Sequence, residues 1–420
     1  MTCDDVLSRP LAGPPRSARR GGWAAGLAAA LLSLLTLQPA AAQHEHAAAG
    51  RKRPPPLAMG AAFSPSGELW IVALDAEHKL FVQSSADDGR SWSAARSIDT
   101  GSDKVVADGE NRPKLAFGPK GWAVISYTEP LAKPYTGQIR MLRSEDGGRS
   151  FSPPFTVHQD RQVITHRFES VAFDAQGALH TLWIDKRDLE AAGRVARKPK
   201  NEADYRGAAI YRNVSTDGGR SFGPDLKLAD HSCECCRIAL APAPDGSLVA
   251  LWRHVFAPNQ RDHAFAPLSA LPGSETVRAT FDRWAIDACP HHGPGLAPAA
   301  AGGYHAVWFG ERAGAAGVRY GRLHADGSPL GEARPLPDER AEHAAVQSAG
   351  ARVAIVWRSF DGQVMRWRAW LSADGGGSFA LKELGSSSAD SDHPLLLKRA
   401  DQIFALWRTT QGVRVERLFP

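Results

Sequence analysis

The sequence lacks a long apolar run outside its first fifty residues, and it lacks a strong charge of either sign. Its longest apolar stretch, Trp23 to Leu37, is 15 residues, too short to cross a bilayer as a helix. The formal charge is only +5, and residues 1–42 hold +2 of it (Arg9, Arg16, Arg19 and Arg20 against Asp4 and Asp5), leaving +3. So mild a surplus argues against a nucleic-acid partner. The basic clusters Arg51-Lys52-Arg53 and Arg194 to Lys200 carry no interleaved aromatics of the kind that stack on bases. No Gly-x-Ser-x-Gly, Walker loop, His-Glu-x-x-His or Cys-x-x-Cys-His occurs, which removes the commonest hydrolase, nucleotide, zinc-protease and haem signatures. Tyrosines number six and cysteines five, so each cysteine repays inspection.

What is present begins with a leader. Arg19-Arg20, the apolar stretch to Leu37 and the small residues Ala40-Ala41-Ala42 form a secretory signal peptide, with cleavage near Ala42. The mature chain is expected to start at Gln43, with a short tail over 43–55, and to work in the periplasm or outside the cell. No transmembrane segment remains after cleavage, and a monomer is expected.

The 40 glycines and 29 prolines favour many short strands joined by turns. Four segments share the pattern Ser-x-Asp-x-Gly-x-Ser-aromatic: Ser85 to Trp92, Ser144 to Phe151, Ser215 to Phe222 and Ser372 to Phe379. Asp-Gly and Gly-Gly between apolar runs mark hairpins. A second repeat consists of apolar strands ending at Ala73, Ser126, Trp183, Trp252, Trp308, Trp357 and Trp407, spaced 53, 57, 69, 56, 49 and 50 residues apart. Repeats of this length suit four-stranded propeller blades. The expected fold is an all-β propeller over 56–420 with seven blades, six being the alternative.

The four octapeptides resemble the Asp box, or bacterial neuraminidase repeat, of the sialidase-like β-propellers. That resemblance concerns the scaffold, since such propellers include enzymes and binding proteins alike. The boxes fall at the turns between third and fourth strands, where they hold the outer hairpin and need carry no chemistry.

The opposite face gathers more reactive groups. Two residues before a shared position in each innermost strand stand Met59, Pro113, Glu169, Cys236, Pro294, His343 and His393. Just upstream lie Arg112, His166, Cys233, Cys235, Cys289, His291, His292, Asp390 and Asp392. Immediately after the second strands come Asp185, Arg253, Phe309, Arg358 and Arg408, and the loops Asp185 to Tyr205 and Arg253 to Ala266 are expected to leave from the same mouth.

Two chemistries compete there. Cys233-Glu-Cys235-Cys236 and Cys289-Pro-His291-His292, with His343 and His393, supply thiolate and imidazole ligands for a copper or zinc ion. A disulfide from one of the first three cysteines to Cys289 is equally compatible with export. The sialidase resemblance implies instead an arginine clamp for a substrate carboxylate, which Arg112, Arg253, Arg358 and Arg408 would supply, and a catalytic acid at Asp185 or Asp262. It also implies a Phe-Arg-Ile-Pro segment early in the first blade, where this chain reads Pro56-Leu-Ala-Met59, and a tyrosine nucleophile that no motif here marks. The residues thus point first to a mouth that binds a metal ion or a small anionic ligand, with an exo-α-sialidase acting on terminal sialic acid-like sugars as the alternative.

Overall fold

The second strand of every repeat is apolar at successive positions, so both of its faces must be covered. In the computed structural model, which describes residues 56–195, 207–286, 288 and 290–420, neighbouring repeats cover them. Along Leu69–Leu74, Ile71 and Ala73 pack against Phe404 and Leu406 of the last repeat, whereas Val72 and Leu74 pack against Leu115, Ile125 and Tyr127 of the next. This period of two, set by the pleat, recurs in every repeat. It produces seven apolar clusters, one between each successive pair.

Each repeat is an antiparallel blade, with four strands in the first six and three in the last. A single pairing of Ser232 with His254 merges the third and fourth blades into one eight-stranded sheet. The innermost strands are Gly60–Phe63, Lys114–Phe117, His166–Phe173, Ala239–Pro242, Gly295–Pro298, Glu342–Ala349 and Leu395–Arg399. They touch in ring order, the last against the first. The fold is an all-β propeller. The seven strands aligned in the sequence are its second strands, Leu69–Leu74, Ala123–Pro130, Leu179–Asp185, Leu248–Phe256, Tyr304–Arg312, Arg352–Phe360 and Gln402–Thr409.

Trp183, Trp252, Trp308, Trp357 and Trp407 within these strands are buried plugs between blades. Four of them also satisfy their indole N–H: Trp183 donates to Asp185 (2.8 Å), Trp308 to Asp282 (2.6 Å), Trp357 to Asp338 (2.8 Å) and Trp407 to the Asp392 carbonyl (3.0 Å).

All four octapeptides lie between third and fourth strands and repeat one hydrogen-bond circuit. In Ser215 to Phe222, the Ser215 hydroxyl donates to Asp217 (2.7 Å) and accepts the Gly219 N–H (2.8 Å). Asp217 in turn accepts the Ser221 N–H (2.9 Å) and hydroxyl (2.6 Å). The second of the three glycines in the last box, the one the pattern requires, shows why that position is fixed. Gly376 has φ near +87°, and a Cβ there would meet the Tyr320 hydroxyl at 2.1 Å. With the serine and aspartate side chains engaged within the turn, the circuit holds the outer hairpin.

A nine-residue helix, Arg187–Val195, is the sole α-helix among the described residues. It opens the expected loop from Asp185; residues 196–206, like the leader at 1–42 and the tail over 43–55, lie outside the described residues. Arg253 to Ala266 is not a loop. The second and third strands of the fourth blade run on as a paired hairpin, with Arg253 opposite His263 and His254 opposite Asp262. Each strand there has two polar residues followed by two apolar ones, Arg253-His-Val255-Phe256 and Asp262-His-Ala264-Phe265, and the ladder extends through the polar side chains. No helix among the described residues is long and apolar enough to cross a membrane.

The box circuit makes stability depend on acid. Hydrogen bonds from Ser91 and Ser85 hold the Asp87 pKa down at about 2. Burial would raise that of Asp217, but Ser221 and Ser215 outweigh it and bring it to about 2. Both values lie below the unfolded value of about 4. A depressed carboxyl stabilises the fold above its unfolded pKa and loses that contribution as pH falls through the folded one. The urea midpoint of wild type should therefore fall between pH 4 and pH 2. Asp217→Asn should lower the midpoint at pH 5, and its difference from wild type should narrow at pH 2; a constant gap would refute the assignment.

Candidate functional site

The segments leading into the innermost strands converge on one buried carboxylate, Glu110. It stands in Gly109-Glu110-Asn111-Arg112-Pro113, ahead of the second blade. Its Oε2 accepts the main-chain N–H of Arg237 (3.1 Å) from the fourth blade and of Gly293 (3.0 Å) from the fifth. Its Oε1 accepts Arg237 Nη1 (2.7 Å) and His343 Nδ1 (3.1 Å) of the sixth, and lies 3.7 Å from His393 Nδ1 of the seventh. The approach is close enough that a Cβ on Gly293 would sit 2.6 Å from Oε2. Burial alone would raise the Glu110 pKa; Arg237 and His343 overcome it and hold the carboxyl well below the usual range.

Arg112 extends the network to the first blade. It grips Asp392 with both terminal nitrogens (2.8 and 3.0 Å) and donates to the carbonyls of Met59 (2.9 Å) and Gly109 (2.7 Å). Lys114 Nζ reaches the third blade at Glu169 (3.2 Å), a column residue that also accepts the hydroxyls of Ser126 and Thr128.

Three imidazoles stack over this carboxylate. Ring centroids are 4.3 Å apart for His292 and His343 and 3.3 Å for His343 and His393, with Phe309 stacked beneath His292 at 4.4 Å. His343 is aimed inward by an irregularity in strand register between Glu342 and Ala345 and by its own φ of +52°. Its Nε2 lies 3.4 Å from Glu342. Burial lowers the pKa of all three rings, and for His343 this prevails over the Glu110 contact, so the stack is neutral. Glu110, His343 and His393 form one group of donor atoms within 4.8 Å of one another, and His292, Glu342 and His343 form another.

Cys233, Cys235 and Cys236 form a third such group. All three are buried, their sulfurs lie within 4.8 Å of one another, and Cys233 and Cys235 are 4.0 Å apart. They occupy the turn from the last strand of the third blade into the fourth, pinned where the Cys233 N–H donates to the Arg253 carbonyl at 2.9 Å. Arg261 Nη1 reaches the Cys233 sulfur at 3.5 Å. The Cys236 thiol is pushed above its ordinary range by its hydrogen bond with Cys233, with burial adding and Cys235 and Arg253 opposing.

The column of the sequence therefore resolves into a thiol group and an imidazole–carboxylate group. Cys289, and with it the disulfide alternative, lies outside the described residues. His291 is half-buried and belongs to neither group.

The four arginines are engaged by the protein. Arg253 donates to the carbonyls of Arg261 (3.2 Å), His292 (2.9 Å) and Phe309 (2.7 Å). Arg358 donates to the Ser391 carbonyl (2.6 Å), and Arg408 to the carbonyls of Leu57 (3.3 Å) and Leu74 (2.8 Å). Each ties its own blade to the next, and Arg112 is bound to Asp392. Asp185 is fully buried, accepting Trp183, the Arg187 N–H and the Arg187 guanidinium. Asp262 is enclosed by Arg278 and the main-chain N–H groups of Asp282 (3.0 Å) and Arg283 (3.1 Å); burial still raises its pKa.

Glu110, Arg237 and Glu342 were not singled out from the sequence. Each adjoins a residue that was: Arg237 follows Cys236, Glu342 precedes His343, and Glu110 stands two places before Arg112.

No family model matches this chain, and no curated protein matches it. Among solved structures, an ulvan lyase of polysaccharide lyase family PL25 is similar with a TM-score of 0.55 at 11% identity, covering 86% of this chain and 93% of its own. YCF48 bound to a D1 peptide gives 0.50 at 16%, over 87% and 94%. NanB sialidase from Streptococcus pneumoniae gives 0.44 at 9%, over 86% and 91%. The likeness to the ulvan lyase and to YCF48 is likeness of fold, and the fold is the propeller.

The Glu110 network predicts a graded cost of losing an acid. Removing one partner of a buried ion pair costs about 3–5 kcal/mol, whereas a pair near the surface contributes about 0–1 kcal/mol. Glu110→Ala should therefore lower unfolding stability several-fold more than Glu342→Ala, whose side chain is 29% exposed. Equal losses in urea titrations would contradict the central role of Glu110.

Proposed function

We propose that this propeller binds a soft metal ion, copper(I) first and zinc second, on the thiolates of Cys233, Cys235 and Cys236. The observation that carries the reading is three buried sulfurs within 4.8 Å of one another, close enough to share one ion. Thiolates select copper(I), zinc and similar ions over hard cations. Three of them around copper(I) carry a net charge of −2, which the cations Arg261, 3.5 Å from Cys233, and Arg253 would offset. The leader supports export, and in an oxidising compartment a bound ion would hold three adjacent thiols against disulfide formation.

The sialidase alternative draws on the Asp-box resemblance and on a fold shared with sugar-acting enzymes. It needs guanidinium groups that face a substrate carboxylate. Arg253, Arg358 and Arg408 donate instead to main-chain carbonyls, and Arg112 to Asp392, so the metal reading is preferred.

Reduced full-length mature protein, titrated anaerobically with copper(I) against a chromogenic competitor, should take up the ion. Cys236→Ser should weaken uptake beyond the roughly 10–100-fold typical of an outer-shell change. Affinity should rise with pH, because each thiol must lose a proton to ligate and the Cys236 pKa is raised. Uptake at background level, or uptake unchanged by Cys236→Ser, would refute the proposal. Turnover of a fluorogenic sialoside that is lost in Arg358→Ala would favour the alternative.

A further inference from the structure

We infer that the mouth carries a second metal site, distinct from the thiols, in which Glu110, His343 and His393 hold a divalent ion such as zinc(II) or copper(II). The three donor atoms, Glu110 Oε1 and one nitrogen from each ring, lie within 4.8 Å of one another. They come from the second, sixth and seventh blades, so no local turn accounts for their meeting.

An independent observation points to a ligand. His393 is 8% exposed, and its Nδ1 is buried without a hydrogen-bond partner while facing Glu110 Oε1 at 3.7 Å. Buried polar atoms are partnered as a rule, and a cation between imidazole and carboxylate would partner this one. Glu110 is also oriented as a metal ligand should be. The amides of Arg237 and Gly293 hold Oε2, and Oε1, which also accepts Arg237 Nη1 (2.7 Å) and His343 Nδ1 (3.1 Å), is turned toward the two rings.

Ion pairs surround the site. Arg237 lies against Glu110, Arg112 against Asp392, and Arg358 lies 3.7 Å from Glu342. Two imidazoles and a carboxylate suit zinc(II) or copper(II), whereas the thiol group suits copper(I). Three protein donors leave a tetrahedral position open for water.

The test uses full-length Cys236→Ser protein, so that the thiol site does not contribute. Zinc(II) titrated calorimetrically should bind at one equivalent, and copper(II) should give an electron paramagnetic resonance spectrum with nitrogen coupling from two imidazoles. His393→Phe in that background keeps the stacked ring and removes Nδ1. It should weaken zinc(II) binding more than tenfold and leave the melting temperature within a few degrees. No zinc(II) binding in the Cys236→Ser protein, or unchanged binding after His393→Phe, would overturn the second site. Neither result bears on copper(I) capture by the wild type, so the two proposals fail separately.

Discussion

One ionised carboxylate, Glu110, sits where four blades other than its own meet, and the mouth is organised around it. Taking a charge out of water is costly unless it is paired and fully hydrogen-bonded. Arg237, two main-chain amides and His343 meet that demand. Because the partners belong to the fourth, fifth and sixth blades, satisfying one side chain fixes the relative positions of several sheets. Arg112 does the same from the opposite sign, joining Asp392 of the seventh blade to the Met59 carbonyl of the first. The apolar clusters between blades set the spacing of the ring; these two buried charges set the register at its centre.

The scaffold was legible because its signals are local and repeated. Alternation over six residues identifies a strand, and an octapeptide with its own hydrogen-bond circuit identifies a turn wherever it occurs. Leu69–Leu74 and Ser215 to Phe222 therefore appear where the pattern put them. The chemistry at the mouth was only partly legible, since it depends on pairings between residues far apart in the chain, such as Arg112 and Asp392, 280 residues apart. Arg112 could be placed near the mouth, but not its partner, and so a brace resembled a clamp. Glu110 sits in a loop with no periodicity, and only its contacts reveal its part. The hairpin at Arg253 to Ala266 was missed for a related reason: polar side chains near an expected mouth suggest a loop, although two facing strands tolerate them readily.

The arginines show how a repeat position can look functional and serve the fold. A guanidinium has five N–H donors, more than a single carbonyl can use, so one side chain can close several main-chain acceptors at a seam between sheets. Arg253 does this for three carbonyls.

The first and last blades meet without sharing a strand. Met59, Ile71 and Ala73 are covered by Phe404 and Leu406, and Arg408 reaches the carbonyls of Leu57 and Leu74 across more than three hundred residues of chain. During synthesis the first blade is therefore complete long before its partner exists. Its apolar face stays open until Phe404 and Leu406 have emerged, and the ring shuts only once the seventh blade has been made. Contacts of such separation are the slowest to form in folding, which makes this one seam the interval in which a nascent chain is most exposed to aggregation and most in need of a chaperone's cover.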